Sequence, residues 1–169
     1  MRYIIFLLLI MTGSCTKQNT TITTIVLDNN TINTTFLHQI ELPEKTLLSW
    51  YLYAYGNECS TTSSKIKCQL LKEMDIDDEC ESQHLSNLLQ WFSKDMLAVY
   101  KLNKCPNLPV NSAIQNTFKH ITLIRKADTL SIKFSVMGLN TLQEKSWNIT
   151  QIDSYVIKNN TFLKIESNE

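Results

Sequence analysis

Three histidines are the first candidates for chemistry in this 169-residue chain. His38 lies in or beside an amino-terminal tether, His84 at the start of a helical segment, and His120 on a strand. His120 could act as a general base if Asp153 or Asp128 oriented its imidazole across a sheet. An ordinary histidine at the surface or at a sheet edge is the simpler interpretation. We therefore predict no catalytic residue, and a small hydrolase or isomerase built around His120 remains an alternative.

The five cysteines offer a second kind of chemistry, and their spacing favours disulfides over metal binding. Cys59, Cys68, Cys80 and Cys105 contain no Cys-x-x-Cys pair and have no nearby pair of histidines, so we predict no metal ligand. An even set of four suits two disulfides in an oxidising compartment. Three pairings are open, and we favour Cys59 with Cys68 and Cys80 with Cys105. Cys15 is then left over, and four reduced thiols would fit equally well in a chain that is not exported.

The amino terminus has the features of an export signal. Arg2 supplies a positive charge, and the apolar run over 4–11 is well short of the roughly 20 residues that span a membrane. The following TGSC, residues 12–15, resembles the lipobox of bacterial lipoproteins, in which the cysteine is acylated and becomes the first mature residue. That pattern prefers Leu where this chain has Thr12, so ordinary signal-peptidase cleavage stays open. We expect a signal peptide over 1–14 and a lipid on Cys15.

Composition excludes two classes of partner. The formal net charge is zero and no basic stripe exists, so we expect no nucleic acid. Only three glycines and three prolines occur, and glycine-rich loops that cradle phosphates are missing, so we expect no cofactor. The partners that remain are a membrane, held through Cys15, and an unknown small ligand or envelope protein.

The segment that follows Cys15 is rich in Thr and Asn and has few groups that could build a core. We therefore assign residues 15–41 to a lipid anchor and tether, and residues 42–169 to a single folded domain. A marginal hairpin within this segment is the alternative, with ITTIVL and TTFLHQIEL on either side of a DNNT turn.

The first firm element is a helix over LPEKTLLSWYLYAY. Pro43 suits its first turn, Glu44 complements the positive end of its dipole, and Gly56 marks its end. Its aromatic side chains make it either a central core helix or one wall of a ligand pocket with hydroxyl groups turned inward. The candidate pocket lining is Trp50, Tyr51, Tyr53, Tyr55, Trp91, Trp147 and Tyr155.

The remaining helices and strands define the fold class. SKIKCQLLKEM predicts a short helix, and leucines at helical spacing from Leu85 onward predict an amphipathic helix that bends where Ser93 caps a second segment. Alternating residues then predict strands over FKHITLIR, TLSIKFSV, WNITQIDSYVIK and TFLKIES, with a bulge near Gln151 and a turn at Asn159-Asn160. We expect an α+β domain, with amino-terminal helices packed on a carboxyl-terminal antiparallel meander of about four strands.

Three stretches, LLSWYLYAYG, WFSKDMLAVY and SWNITQIDSYVIKNNTFLKI, resemble the nuclear transport factor 2-like, or cystatin-like, superfamily. The similarity is greatest to the uncharacterised lipoproteins of that superfamily in Bacteroidetes-type bacteria. The resemblance implies a cone-like fold, but that fold hosts enzymes, binding modules and adaptors alike. We expect a non-enzymatic module that binds a ligand or a partner protein. Thr16 stands where lipoproteins retained in the inner membrane have an aspartate. Residues 17–19 lack the acidic pair of signals that export lipoproteins to the cell surface. The implied location is the periplasm-facing side of the outer membrane.

A secreted eukaryotic or viral glycoprotein is the alternative from a different class. Five asparagines begin an Asn-x-Ser/Thr sequon, which a secretory pathway would glycosylate. They are Asn19, Asn29, Asn33, Asn148 and Asn159.

Overall fold

The computed structural model describes residues 20–56, 66–77, 80–105 and 113–165. Cys15 and the predicted signal peptide lie outside these residues. The described helices are α1 (Thr34–Leu37), α2 (Leu42–Tyr55), α3 (Ile66–Glu73), α4 (Ser82–Trp91) and α5 (Met96–Leu102). The described strands are β1 (Thr21–Asp28), β2 (Thr31–Ile32), β3 (Ile114–Lys126), β4 (Thr129–Asn140), β5 (Lys145–Lys158) and β6 (Thr161–Ile165).

The expected α+β class is confirmed, but the sheet is larger than predicted. Six described strands form one antiparallel sheet in the order β2-β1-β3-β4-β5-β6, where about four were expected. The meander from β3 to β6 follows the predicted hairpins, with turns at Ala127-Asp128 and at Asn159-Asn160. Both asparagines adopt positive φ, as a tight hairpin turn requires.

The two additional strands lie in the segment that we assigned to the tether, so the packed domain begins well before residue 42. Strand β1 pairs with β3 along its length, and its Val26 and Leu27 are fully buried. These two neighbours share a buried environment because the register shifts between Ile25 and Leu27, which marks a bulge. The hairpin alternative was correct for the ITTIVL strand, which lies within β1, and for the Asn29-Asn30 turn. It was wrong for the second arm, because residues 34–37 form a helix.

One face of the sheet carries the helices. Leu130, Ile132, Phe134 and Val136 alternate along β4 and are at most 1% exposed, which confirms the predicted buried face. Helix α2 follows its predicted bounds and is buried on most sides. Most of its aromatic side chains therefore belong to the core. The result is a two-layer domain with α2 against the centre of the sheet.

Two local predictions were wrong. Strand β5 pairs with β4 in continuous register, so no bulge occurs near Gln151, and the register shift in this hairpin series lies in β3 between Phe118 and His120. The amphipathic helix does break in two, but Asp95 rather than Ser93 caps the second part. Its carboxylate accepts a hydrogen bond of 3.0 Å from the backbone N–H of Ala98.

Candidate functional site

The seven aromatic residues proposed as a pocket lining pack mainly in the core. Five of them are at most 6% exposed, and Tyr55 and Trp147 are partly exposed. The five are Trp50, Tyr51, Tyr53, Trp91 and Tyr155. None of the seven lies in the walls of three grooves that described residues line, at the start of α2, beside α4 and between α5 and β6.

Two of the tyrosines do turn their hydroxyl groups inward, where one of them binds a buried carboxylate and the other binds the first hydroxyl. Tyr51 on α2 donates a hydrogen bond to Asp153 on β5, and its oxygen lies 2.8 Å from the hydroxyl of Tyr155. Gln151 donates to the same carboxylate over 2.7 Å, and the Lys164 ammonium lies 2.9 Å from its other oxygen. We call these five residues the tyrosine–aspartate cluster.

The cluster explains why the phase of β5 was misjudged from sequence. Gln151 and Asp153 are polar residues on the face of β5 that packs against the helices, and Asp153 is only 7% exposed. A buried charge is tolerated when it is paired and hydrogen-bonded, and here three donors satisfy it. Burial, together with the neighbouring groups, raises the pKa of Tyr51 and of Tyr155 above the ordinary value for tyrosine. The cluster is therefore a satisfied network that joins α2 to the sheet.

The histidines lie apart from this cluster. The Nδ1 atom of His120 lies 3.4 Å from the carboxylate of Asp28, and its Nε2 atom lies 2.7 Å from the hydroxyl of Thr122. The acidic neighbour of His120 is thus Asp28 rather than the proposed Asp153 or Asp128, and the side chain of Asp28 is 58% exposed. This pair sits at the surface beside the β1–β3 pairing, and it forms no enclosed base and orienter.

The other two histidines lie at helix ends. His38 follows α1 and lies 2.7 Å from the Glu73 carboxylate, with 62% of its side chain exposed. His84 lies in the first turn of α4, where burial and then the charge of Lys45 lower the pKa of its imidazole. Its Nε2 atom is buried without a hydrogen-bond partner. Within the described segments, no three side chains of His, Cys, Asp or Glu gather as metal ligands.

A disulfide joins Cys80, just before α4, to Cys105, just after α5. The two Cα atoms lie 5.6 Å apart, and the bond closes the paired helices into one loop. This confirms one of the two predicted pairs. Cys59 lies outside the described residues, so its pairing with Cys68 stays a prediction.

A groove between the start of α2 and the β1–β3 pair is the candidate binding site. It has a volume of about 190 Å³, and we call it the acidic groove. Its lining is Ile22, Thr24, Phe36, Gln39, Glu41, Glu44, Leu123, Arg125 and Leu130. Four of these nine side chains are apolar, and the three charged ones gather at the end where α2 begins.

One guanidinium serves two carboxylates in the acidic groove. The Nη1 atom of Arg125 donates to Glu41 and to Glu44, over 2.6 Å in each case. Burial by itself would lower the pKa of Arg125, but hydrogen bonds and charges from the two glutamates raise it overall. The three groups together carry a net charge of minus one.

Within the acidic groove, the carboxylate of Glu44 is only partly hydrogen-bonded. The residue is 7% exposed, and its Oε2 atom is buried without any hydrogen-bond partner. A buried polar atom with no partner costs about 1 to 3 kcal/mol, and more when it is charged. Its place in the first turn of α2 offsets part of this cost through the helix dipole.

Comparisons with protein-family models, characterised proteins and solved structures find no match. Function must therefore be inferred from the side chains themselves. From the sequence, Glu44 was predicted only to complement the helix dipole, and no role was predicted for Arg125 or Glu41. No local signal marks them, because Arg125 reaches the two glutamates from a strand about 80 residues further along the chain.

Proposed function

We propose that this chain is an exported lipoprotein, anchored to a membrane through Cys15, whose folded domain binds a small ligand in the acidic groove. The observation that carries the export part is the Cys80–Cys105 disulfide, because disulfides form and persist in oxidising compartments. If the other four cysteines form two disulfides, Cys15 is left over and is available for lipid attachment. The periplasm-facing side of the outer membrane is the location that the lipobox and the residues after Cys15 favour.

The binding part of the proposal is supported by the acidic groove. Apolar walls with a few convergent polar groups are typical of small-molecule sites. The groove has such walls and an unsatisfied carboxylate oxygen at one end. A partner protein of the envelope remains the other kind of occupant for this domain.

The position of β1 limits how far the domain can lie from its anchor. Strand β1 begins at Thr21, so the six backbone steps from Cys15 can reach at most roughly 20 Å whatever their conformation. Under this proposal the domain is held beside the bilayer rather than on a long tether. No helix within the described segments is long and apolar enough to cross a membrane.

Metabolic labelling with a palmitate analogue tests the anchor. We expect the wild-type chain to incorporate label in a bacterial host and the Cys15→Ala variant to incorporate none. Ser14→Ala is the matched control, because it changes the adjacent residue, keeps the thiol and should remain labelled. An unlabelled wild-type chain with a free thiol at position 15 would show that the lipoprotein proposal is wrong.

The secreted glycoprotein is the second candidate, and one structural observation favours it. The four sequon asparagines within the described residues are all exposed, as glycosylation requires. They are Asn29, Asn33, Asn148 and Asn159. Expression in a eukaryotic secretory host separates the two candidates, because a mass increase removed by an N-glycosidase, without palmitate label, supports the glycoprotein.

A further inference from the structure

The charge of the acidic groove is not balanced by its own residues. Arg125 provides one positive charge, while Glu41 and Glu44 provide two negative charges. The side chain of Glu44 is 9% exposed, so its charge is poorly screened by water, whereas that of Glu41 is 69% exposed. The surplus negative charge is therefore felt most strongly at the inner end of the groove.

The hydrogen bonding of the groove is incomplete at the same point. Arg125 donates to the Oε1 atom of Glu44, and the Oε2 atom has no donor. A buried carboxylate of this kind favours a cationic N–H donor, because charge-assisted hydrogen bonds are about twice as strong as neutral ones. The exposed side chain of Glu41 forms part of the rim, and exposed rotamers interchange rapidly, so the rim can admit such a group.

The rest of the groove suits an apolar chain. Ile22, Leu123 and Leu130 come from three neighbouring strands and face Phe36 from α1. A volume of about 190 Å³ excludes large ligands and admits a short alkyl or aryl group.

From this juxtaposition we infer that the acidic groove binds a small organic cation, with its ammonium group on the Oε2 atom of Glu44 and its apolar body against the β1–β3–β4 wall. The inference rests on the small-ligand part of the proposed function and is independent of the lipid on Cys15. Anions are disfavoured because the only cation in the lining, Arg125, is already shared by two carboxylates. Neutral ligands leave the surplus charge unmatched.

Titration of the full chain with three ligands of similar shape tests this inference. The probes are 1-hexylamine, which is protonated at pH 7, 1-hexanol and hexanoate. Binding is followed by chemical-shift changes of backbone amides in the groove, including those of Thr24 and Leu123. We expect hexylamine to bind with a dissociation constant on the order of 1 mM, about tenfold tighter than hexanol, and hexanoate not to bind.

Three variants locate the site. Glu44→Gln should weaken hexylamine binding about tenfold, because the amide keeps the shape and loses the charge. Glu144→Gln makes the same chemical change in the β4–β5 turn, at the opposite end of β4 from Leu130, and should leave binding unchanged. Arg125→Gln removes the internal competitor and should tighten binding at least about threefold. Circular dichroism of each variant verifies that it is folded.

The outcomes separate this inference from the function on which it rests. Equal binding of hexanol and hexylamine would overturn the cation inference and keep a small-ligand site. Equal weakening by Glu44→Gln and Glu144→Gln would overturn the assignment to this groove. Binding of none of the three probes would overturn both the cation inference and the small-ligand function, while the labelling result at Cys15 would stand by itself.

Discussion

Replacing Tyr51 with Phe should destabilise the protein by about 2 to 4 kcal/mol. The substitution keeps the ring, which packs 5.1 Å from the ring of Phe134, and removes only the hydroxyl group. Loss of a hydrogen bond to a charged acceptor costs about 1.5 to 3 kcal/mol, and the hydroxyl of Tyr155 also loses its hydrogen bond to Tyr51. Asp153 keeps two donors, so the cost does not reach that of an unpaired buried charge.

Urea unfolding at pH 7 measures this free energy, and calorimetry should show a fall in Tm of about 6 to 12 °C. Tyr53→Phe is the matched control, because it removes from the same helix a hydroxyl that donates to the neutral carbonyl of Lys101 over 2.8 Å. We expect the control to cost about 1 kcal/mol.

A double-mutant cycle with Asp153→Asn isolates the pair. We expect a coupling free energy above about 1 kcal/mol between positions 51 and 153. A coupling near zero, or a cost for Tyr51→Phe no larger than that of the control, would refute the view that the tyrosine–aspartate cluster fastens α2 to the sheet.

Three other predictions follow from separate features. Gly138→Ala should cost about 1 to 3 kcal/mol and shift tryptophan fluorescence to the red, because a Cβ atom at this position would overlap the indole of Trp147; an unchanged spectrum and unfolding midpoint would contradict this. Replacing both Cys80 and Cys105 with Ser should lower the free energy of unfolding by about 3 kcal/mol in urea, since it opens a loop with a sequence separation of 25; no change would mean that the bond does not constrain the unfolded chain. Stability should fall above about pH 10, because the raised pKa values in the tyrosine–aspartate cluster keep protons that the unfolded chain releases from pH 10 upward; uniform ionisation of all tyrosines in the native protein, followed by ultraviolet absorbance, would disprove it.

The elements that sequence predicted well are those whose signals are local. Helix α2 has Pro43 in its first turn and ends before Gly56, and both boundaries are confirmed. The hairpins from β3 to β6 follow from alternation and from turn residues such as Asn159, which need no information from the rest of the chain. The Cys80–Cys105 pair brackets neighbouring helices and could be inferred for the same reason.

The features that sequence missed depend on distant partners. Strand β1 looks like a tether because its surroundings are rich in Thr and Asn and have few side chains that could build a core. Only its pairing with β3 explains why Val26 and Leu27 are buried. Gln151 and Asp153 looked like a break in the strand period because they are polar residues on the buried face. The groups that make their burial possible, Tyr51 and Lys164, come from other elements. The acidic groove also depends on distant partners. Its charged groups come together only when β3 docks beside α2 and brings Arg125 to Glu41 and Glu44.

The position of β1 also sets the order in which the chain can fold. This strand precedes its partner β3 by about 100 residues along the chain, so the pairing has a high contact order. Strand β1 can form its short local pairing with β2, but it cannot join the rest of the sheet until β3 has been made. Until β1 has docked, the exposed edge of β3 can pair with strands from other chains, so newly synthesised molecules should aggregate more readily than folded ones when holding chaperones are removed.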